Sequence, residues 1–288
     1  MEWHPFTICS APERKDCLHI CIRKRENWTK DVYEYYDGLL KHFNNTKNLT
    51  VTVTNAANNP TISNSRNDLL IEENSFSPED DSAIIYMEGP FSGCTSYMFD
   101  CEHVILIGTG IGITPAISAL DSLIQRFREQ CSTINFNQKL KKIVLIWINR
   151  DGRNFSWFQD ILNQLETDQE SYLNAKPSNT TDPDEQRSRY LDIHLHCTSL
   201  LNDTQAMLGN SVYHLVADVY ASQQQKDMIT QLKTRTRVGR PSWRSVFAKF
   251  KAEYTSADVF FTGDVEMARE LKRLCDEFRF KFQHEPYP

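Results

Sequence analysis

Residues Val104 to Ile107 form an unbroken apolar run that leads straight into Gly108-Thr109-Gly110-Ile111-Gly112. A short run of this kind, rich in β-branched residues, reads as a strand buried on both faces. Three alternating glycines let the backbone turn sharply and approach a ligand that side chains would exclude. Thr114 then stands where a helix N-cap belongs, and Pro115 is preset for the first helical position. Ile117, Leu120, Leu123, Ile124 and Phe127 follow at helical spacing through Arg128. The unit is therefore strand, glycine turn, helix. A helix start offers free N–H groups and the positive end of a dipole, which suits a phosphate. The spacing is G-x-G-x-G-x-T-P rather than the common G-x-G-x-x-G. Glycines alone are equally compatible with a structural turn; the Thr-Pro ending narrows the choice.

The rest of the composition sets bounds. The chain has 288 residues, enough for one large or two modest domains, with 40% hydrophobic and 24% charged residues. A net charge of −6 argues against a nucleic-acid partner. The eight cysteines contain no CxxC pair, so they read as reduced thiols of a cytosolic chain rather than zinc ligands or a disulfide framework. Sequons such as Asn27-Trp28-Thr29 read as chance in an Asn-rich chain. No run approaches membrane-spanning length, and no signal peptide is recognisable. The chain enters a strand-like motif at once after Met1-Glu2-Trp3, so it reads as part of something longer.

Taken in order, residues 4–24 read as two strands, His4 to Ile8 and Cys17 to Arg23, around a bend at Ser10-Ala11-Pro12. Thr29 is the expected N-cap of a helix with Val32, Tyr35, Tyr36, Leu39 and Leu40 on one face. Residues 41–82 read as a polar, mobile insertion. Ala83 to Met87 resumes as a strand, and Glu88-Gly89-Pro90-Phe91 turns toward the glycine loop. Lys142 to Ile148 is a second buried strand, followed by a helix with Trp157, Phe158, Ile161, Leu162 and Leu165 inward. A polar linker spans about 174–190. Leu191 to His196 alternates as a half-buried strand. Val212, Leu215, Val216, Val219 and Tyr220 mark a helix, and Lys233 to Arg240 is basic. Pro241 and Ser242 open a helix with Trp243, Val246, Phe247 and Phe250 inward. Val259 to Phe261 is another buried strand, with Thr262-Gly263-Asp264 after it. Met267, Leu271 and Leu274 mark the last helix, and Phe278, Phe280 and Phe282 alternate as a terminal strand. Strands alternating with helices from residue 103 onward predict a doubly wound parallel sheet. Its ligand belongs beyond the carboxyl ends of the strands, at loops 108–114, 149–152, 198–200 and 262–264.

The chemistry of those loops is specific. The glycine turn suits a pyrophosphate. Arg150 stands where a ribose-reading group belongs, and an arginine there favours a 2′-phosphate over a free hydroxyl. This points to NADPH, with Arg240 as a second cation; a plain surface pair of Arg150 with Asp151 is the simpler alternative. No Ser-His-Asp or Cys-His arrangement is suggested by His4, His19, His194 or His196. Taken alone, His4 to Thr7 reads as part of a strand pair and Arg23 as a residue able to meet a phosphate.

Several motifs together change that reading. His4-Pro5-Phe6-Thr7 with Ser10-Ala11-Pro12 resembles the flavin-binding signature of the NADPH oxidase and ferric reductase superfamily. Glu88-Gly89-Pro90-Phe91 is similar to its Asp-Gly-Pro-Phe/Tyr turn, Gly108 to Pro115 to its NADPH loop, and Trp147-Ile148-Asn149-Arg150-Asp151 to its second-strand motif. Gly239-Arg240-Pro241-Ser242-Trp243 matches its Gly-Arg-Pro-x-Trp. The wording Trp-Ile-Asn-Arg-Asp, the Thr198-Ser199 pair and Lys233 to Arg237 resemble the calcium-regulated NADPH oxidase 5 subfamily.

The resemblance implies a ferredoxin-reductase-like architecture: a partial FAD-binding β-barrel over 1–98, then a doubly wound NADPH-binding domain over 99–288. It implies hydride transfer from NADPH to FAD, then passage of electrons through haems of a membrane domain to oxygen, giving superoxide. That haem domain is expected on the same full-length chain, along with a calcium-sensing regulatory domain, at the cytoplasmic face of a membrane. Carried over by position, His4, Pro5, Phe6, Thr7, Arg23, Trp28 and Thr29 meet the flavin. Gly108, Gly110, Gly112, Thr114, Pro115, Arg150 and Arg240 hold NADPH. Thr262, Gly263, Asp264 and Tyr287 stand at the reacting centre, and no metal is expected in this segment. The chain departs from the pattern in places. Thr262-Gly263-Asp264 replaces the usual Cys-Gly-Pro or Cys-Gly-Ser, Cys21 replaces a histidine, Ala116 replaces a phenylalanine, and Pro288 follows the terminal aromatic Tyr287. The family's barrel strands before His4 are expected outside this sequence. A ferric-chelate reductase domain, or a divergent nucleotide-binding domain without catalysis, fits the same residues.

Overall fold

The computed structural model describes residues 3–15, 17–25, 27–44, 87–130, 139–175, 189–199 and 206–286. The chain divides into two compact units, Met1–Phe91 and Ser92–Pro288.

In the first unit, the long element is helix α1, Trp28–Asn44. It starts one residue earlier than the expected cap. The amides of Lys30 and Asp31 both donate to the Asn27 carbonyl, and Thr29 lies inside the first turn with its Oγ1 accepting from the Arg25 amide. The helix also takes in residues 41–44, which the sequence assigns to the insertion. The expected strand pair over 4–24 is reduced among the described residues to one antiparallel bridge, Ile8↔Ile20. Ser10 explains part of this, because its side-chain oxygen rather than a strand partner accepts the His19 amide. The remaining insertion, residues 83–86 of the expected strand, and Tyr287 lie outside the described residues.

The second unit is a six-stranded parallel sheet, β1 (His103–Thr109), β2 (Lys142–Asn149), β3 (Leu191–Cys197), β4 (Thr236–Val238), β5 (Asp258–Gly263) and β6 (Lys281–Pro286). Its order is β4-β3-β2-β1-β5-β6, with every pairing parallel. The chain winds outward from β1 to β4, crosses over, and winds the other way through β5 and β6. The turning point lies between β1 and β5. Helices α2 (Thr114–Gln130), α3 (Gln159–Ala175), α4 (Ala206–Gln224), α5 (Trp243–Glu253) and α6 (Val265–Phe278) make the connections.

The core explains why the central strands read as continuous apolar runs. Ile105, Ile107, Val144, Ile146, Ile148, Val259 and Phe261 meet Trp243 and Phe247 of α5 and Leu271 and Leu274 of α6 on one face. Strand alternation turns Leu106, Leu145 and Trp147 to the other face, and all three are fully buried. Phe155 and Phe158 pack edge-on and tilted against Trp147 there.

One inward assignment and one strand boundary change. Trp157 is 40% exposed, because residues 152–158 form a 3₁₀ turn and α3 begins only at Gln159. The α-helical period used to place Trp157 does not hold in that turn. Phe278 closes α6 instead of opening a strand, since Arg279 in the left-handed region ends the helix there. Leu215, Val216 and Val219 on α4 are exposed.

Candidate functional site

Each glycine of the turn after β1 has its own reason. A Cβ on Gly108 would lie 2.6 Å from the Ile113 Cα, so the turn folds back on the strand only with glycine there. Gly110 has φ of +55°, and a Cβ would meet nothing within 4 Å; its outer face is open to a ligand. A Cβ on Gly112 would lie 2.7 Å from the Thr262 carbonyl oxygen, so the turn rests directly on the end of β5. These contacts wind Gly110–Ile113 into a 3₁₀ turn that runs into α2.

Thr114 therefore does not cap the helix as expected. It is already helical (φ −54°, ψ −41°), and its buried hydroxyl donates to the Ile111 carbonyl at 3.1 Å. Thr109, still extended, is the residue before the first turn, and Pro115 is the second residue of α2. The turn has a further support that sequence reasoning missed. The buried Trp147 indole donates to the Gly110 carbonyl at 2.9 Å.

Thr262 and Gly263 belong to β5 itself and sit beside the turn at the switch point. Gly263 is packed so closely that a Cβ would lie 2.5 Å from both Thr109 Oγ1 and the Phe261 ring. Thr262 is 7% exposed. Asp264 is the N-cap of α6, its Oδ1 accepting from the Met267 amide at 2.9 Å. An acid at the start of a periodic helix is a signal available in sequence. His284 of β6 joins the group through Nε2, 3.3 Å from the Gly263 carbonyl oxygen.

The two arginines converge on the end of β3. The Arg150 carbonyl accepts from the Ser199 amide at 2.9 Å and from the Cys197 thiol at 3.5 Å. Gly239, just before Arg240, donates to the Cys197 carbonyl at 2.8 Å, and its own carbonyl lies 3.0 Å from His196 Nδ1. Both arginine side chains are exposed. The simpler reading of an Arg150–Asp151 pair does not hold: Asp151 is engaged by Arg153 through Nε and Nη2, which holds its carboxyl below the usual carboxylate range.

Between the turn and Arg150 stands Asn149. It is 1% exposed, and neither its Oδ1 nor its Nδ2 has a partner. It follows Trp147 by two residues, so strand alternation puts it on the same face, at the ligand edge. An unpaired buried amide costs about 1–3 kcal/mol. A turn open at Gly110, an orphaned amide and two exposed cations suit a dinucleotide with a phosphorylated ribose.

In the first unit the structure gathers His4, Phe6 and Trp28. The His4 ring stacks on Trp28 at 4.4 Å, and Phe6 lies 5.6 Å from it. Pro5 is exposed and Thr7 half-buried on the same segment, and Arg23 is exposed beyond the Ile20 bridge. An aromatic shelf of this kind suits a flat ring, and the exposed Arg23 on the same unit is a cation able to meet a phosphate. Among the described residues no group of three His, Cys, Asp or Glu is placed to hold a metal ion. No helix there is long and apolar enough to cross a membrane.

Comparison with known proteins finds two families along the chain. Residues 101–276 match the ferric reductase NAD binding domain family, and residues 1–95 match an FAD-binding domain family. The chain is 36% identical to NADPH oxidase 5 of Homo sapiens over 99% of its own length and 36% of that protein. It is 28% identical to a superoxide-generating NADPH oxidase heavy chain of Dictyostelium discoideum, over 96% of its length and 43% of that protein. The chain thus spans less than half of either relative. Among solved structures, ferredoxin-NADP+ reductase from Plasmodium falciparum is 16% identical with a TM-score of 0.32, over 69% of this chain and 57% of that one.

Proposed function

We propose that this chain, which belongs to the ferric reductase and NADPH oxidase dehydrogenase family, is the electron-input segment of a superoxide-generating NADPH oxidase. When bound, the two cofactors supply the chemistry: NADPH gives a hydride to FAD, for onward transfer through membrane haems to oxygen. The haem domain lies elsewhere on the same full-length chain, together with a calcium-sensing regulatory domain, and the segment works at the cytoplasmic face of the membrane. Residues 1–98 serve the flavin and 99–288 the nucleotide.

The observation that carries this reading is the seating of the Gly108–Gly112 turn on Thr262 at the switch point of the sheet. There the backbone of the turn, with Thr114 and Pro115 behind it, takes the pyrophosphate. Arg150 and Arg240 take the 2′-phosphate, and Asn149 gives its unpaired amide to the same nucleotide. Gly263 keeps the backbone low enough for a flat ring, while Thr262 and Asp264 set the field beside it. His4, Pro5, Phe6, Thr7, Trp28 and Thr29 would line the flavin and Arg23 would meet its phosphates; Tyr287, outside the described residues, is proposed for the reacting centre by its sequence position alone.

Stopped-flow absorbance of the chain loaded with FAD tests this. Flavin bleaching on mixing with NADPH is expected, and slower bleaching with NADH. A flavin-loaded chain that neither nucleotide bleaches would overturn the reading.

A further inference from the structure

The first unit holds a thiol pair that no step above uses. Cys9 and Cys21 lie on either side of the Ile8↔Ile20 bridge, with their sulfurs 3.6 Å apart. Cys9 is 4% exposed, whereas Cys21 is half-buried and open to small solutes. We propose that Cys21 and Cys9 form a peroxide-sensitive dithiol, in which Cys21 is the attacking thiol, Cys9 the resolving thiol, and an intrachain disulfide the product.

The local chemistry separates Cys21 from Cys94, Cys101 and Cys275. The Cys9 thiol lies within hydrogen-bond reach of Cys21 at 3.6 Å and of the His19 carbonyl, to which it donates, at 3.3 Å. The contact with Cys9 pulls Cys21 below the ordinary thiol value, against the effect of burial. Burial pushes Cys94 and Cys101 up to about 11 and Cys275 up to about 12, so those thiols stay protonated and unreactive. A low, accessible thiol beside a second cysteine is the arrangement that reversible oxidation requires.

The step balances with hydrogen peroxide as oxidant. The Cys21 thiolate attacks one peroxide oxygen; the S–O bond forms, the O–O bond breaks, and hydroxide leaves. Cys9 then attacks the sulfenic sulfur; the S–S bond forms, the S–O bond breaks, and water leaves. The Cys9 proton leaves with the sulfenic oxygen in that water, and the proton Cys21 lost on ionising neutralises the hydroxide. Two thiols and one peroxide give one disulfide and two waters. Closure brings the sulfurs from 3.6 Å to about 2.05 Å. It ties the segment bearing His4, Phe6 and Thr7 to the segment bearing Arg23. The inference stands apart from the proposed function, because the oxidant is added from outside and no cofactor is read.

The test is peroxide titration of the reduced full chain, followed by alkylation, proteolysis and mass spectrometry. The expected product is a Cys9–Cys21 linked peptide that dithiothreitol reverses. In Cys9→Ser, Cys21 should instead be trapped by dimedone, about tenfold or more faster than Cys94, Cys101 or Cys275. Denaturing the parent chain first should abolish the selectivity. Oxidation that leaves both thiols free while others react, or a Cys21 linkage to Cys17 in place of Cys9, overturns the proposal.

Discussion

Among single residues, one indole holds the glycine turn from outside. Trp147→Phe keeps the ring beside Phe155 but removes the donor to the Gly110 carbonyl. A net hydrogen bond is worth about 0.5–1.5 kcal/mol, so NADPH should bind roughly two- to tenfold more weakly, as measured by calorimetry. Unchanged affinity would mean the turn holds its shape without Trp147. The arginines act on the choice between nucleotides. A charge-assisted contact to the 2′-phosphate is worth about 1.5–3 kcal/mol, so Arg150→Ala should cut the preference for NADPH over NADH roughly tenfold or more. Retention of the full preference in that variant would remove Arg150 from the 2′-phosphate site.

Among the secondary-structure elements, α6 starts on a side-chain cap at the end of β5, beside the reacting centre proposed above. Asp264 holds the Met267 amide, and replacing such a cap by alanine costs about 0.5–2 kcal/mol. Asp264→Ala should therefore lower the urea midpoint. Asp264→Asn caps about as well, so its midpoint should stay near that of the parent. Asparagine also removes the negative charge beside the hydride path, so flavin bleaching by NADPH should be faster in this variant than in the parent. Equal stability of both variants would show that the cap contributes nothing. A slower rate in the asparagine variant would show that the carboxylate helps the transfer.

The stability of the molecule as a whole depends on two histidines of β3 that the nucleotide-binding unit buries in their neutral form. Burial first, then the positive field of Arg237, pushes His194 down to about 4, and its Nδ1 has no partner. Burial also lowers His196, with the Gly239 carbonyl opposing. The unfolded chain takes up the His194 proton below about pH 6.5, while the folded unit resists it down to about 4. Stability from His194 is complete well above pH 6.5 and is lost as the pH falls toward 4, and the lowered His196 acts in the same direction. Thermal unfolding should show a lower midpoint at about pH 5 than at about pH 7, and His194→Gln should flatten that slope. A midpoint independent of pH in the parent would contradict the burial of neutral His194.

The local units are legible from the order of residues. The apolar run before Gly108, the glycine turn, the helical spacing of α2, α5 and α6, and the alternation of strands with helices all predict a parallel sheet, because hydrophobic periodicity is a property of neighbours along the chain. The same reading places the glycine turn, Arg150 and Thr262-Gly263 at strand ends, where such sheets take ligands. What lies against what is a matter of the folded chain. Trp147 reaches Gly110 across 37 residues, Gly239 is fastened to Cys197 across 42, and Gly112 rests on Thr262 across 150. Asn149 is readable as the end of a strand, but its unpaired state follows only from which groups surround it. The same holds for Cys9 and Cys21, which look like two scattered thiols until the bridge between Ile8 and Ile20 brings them together. Contacts of this kind depend on how strands order themselves once distant segments meet, and no local pattern in the chain encodes that meeting.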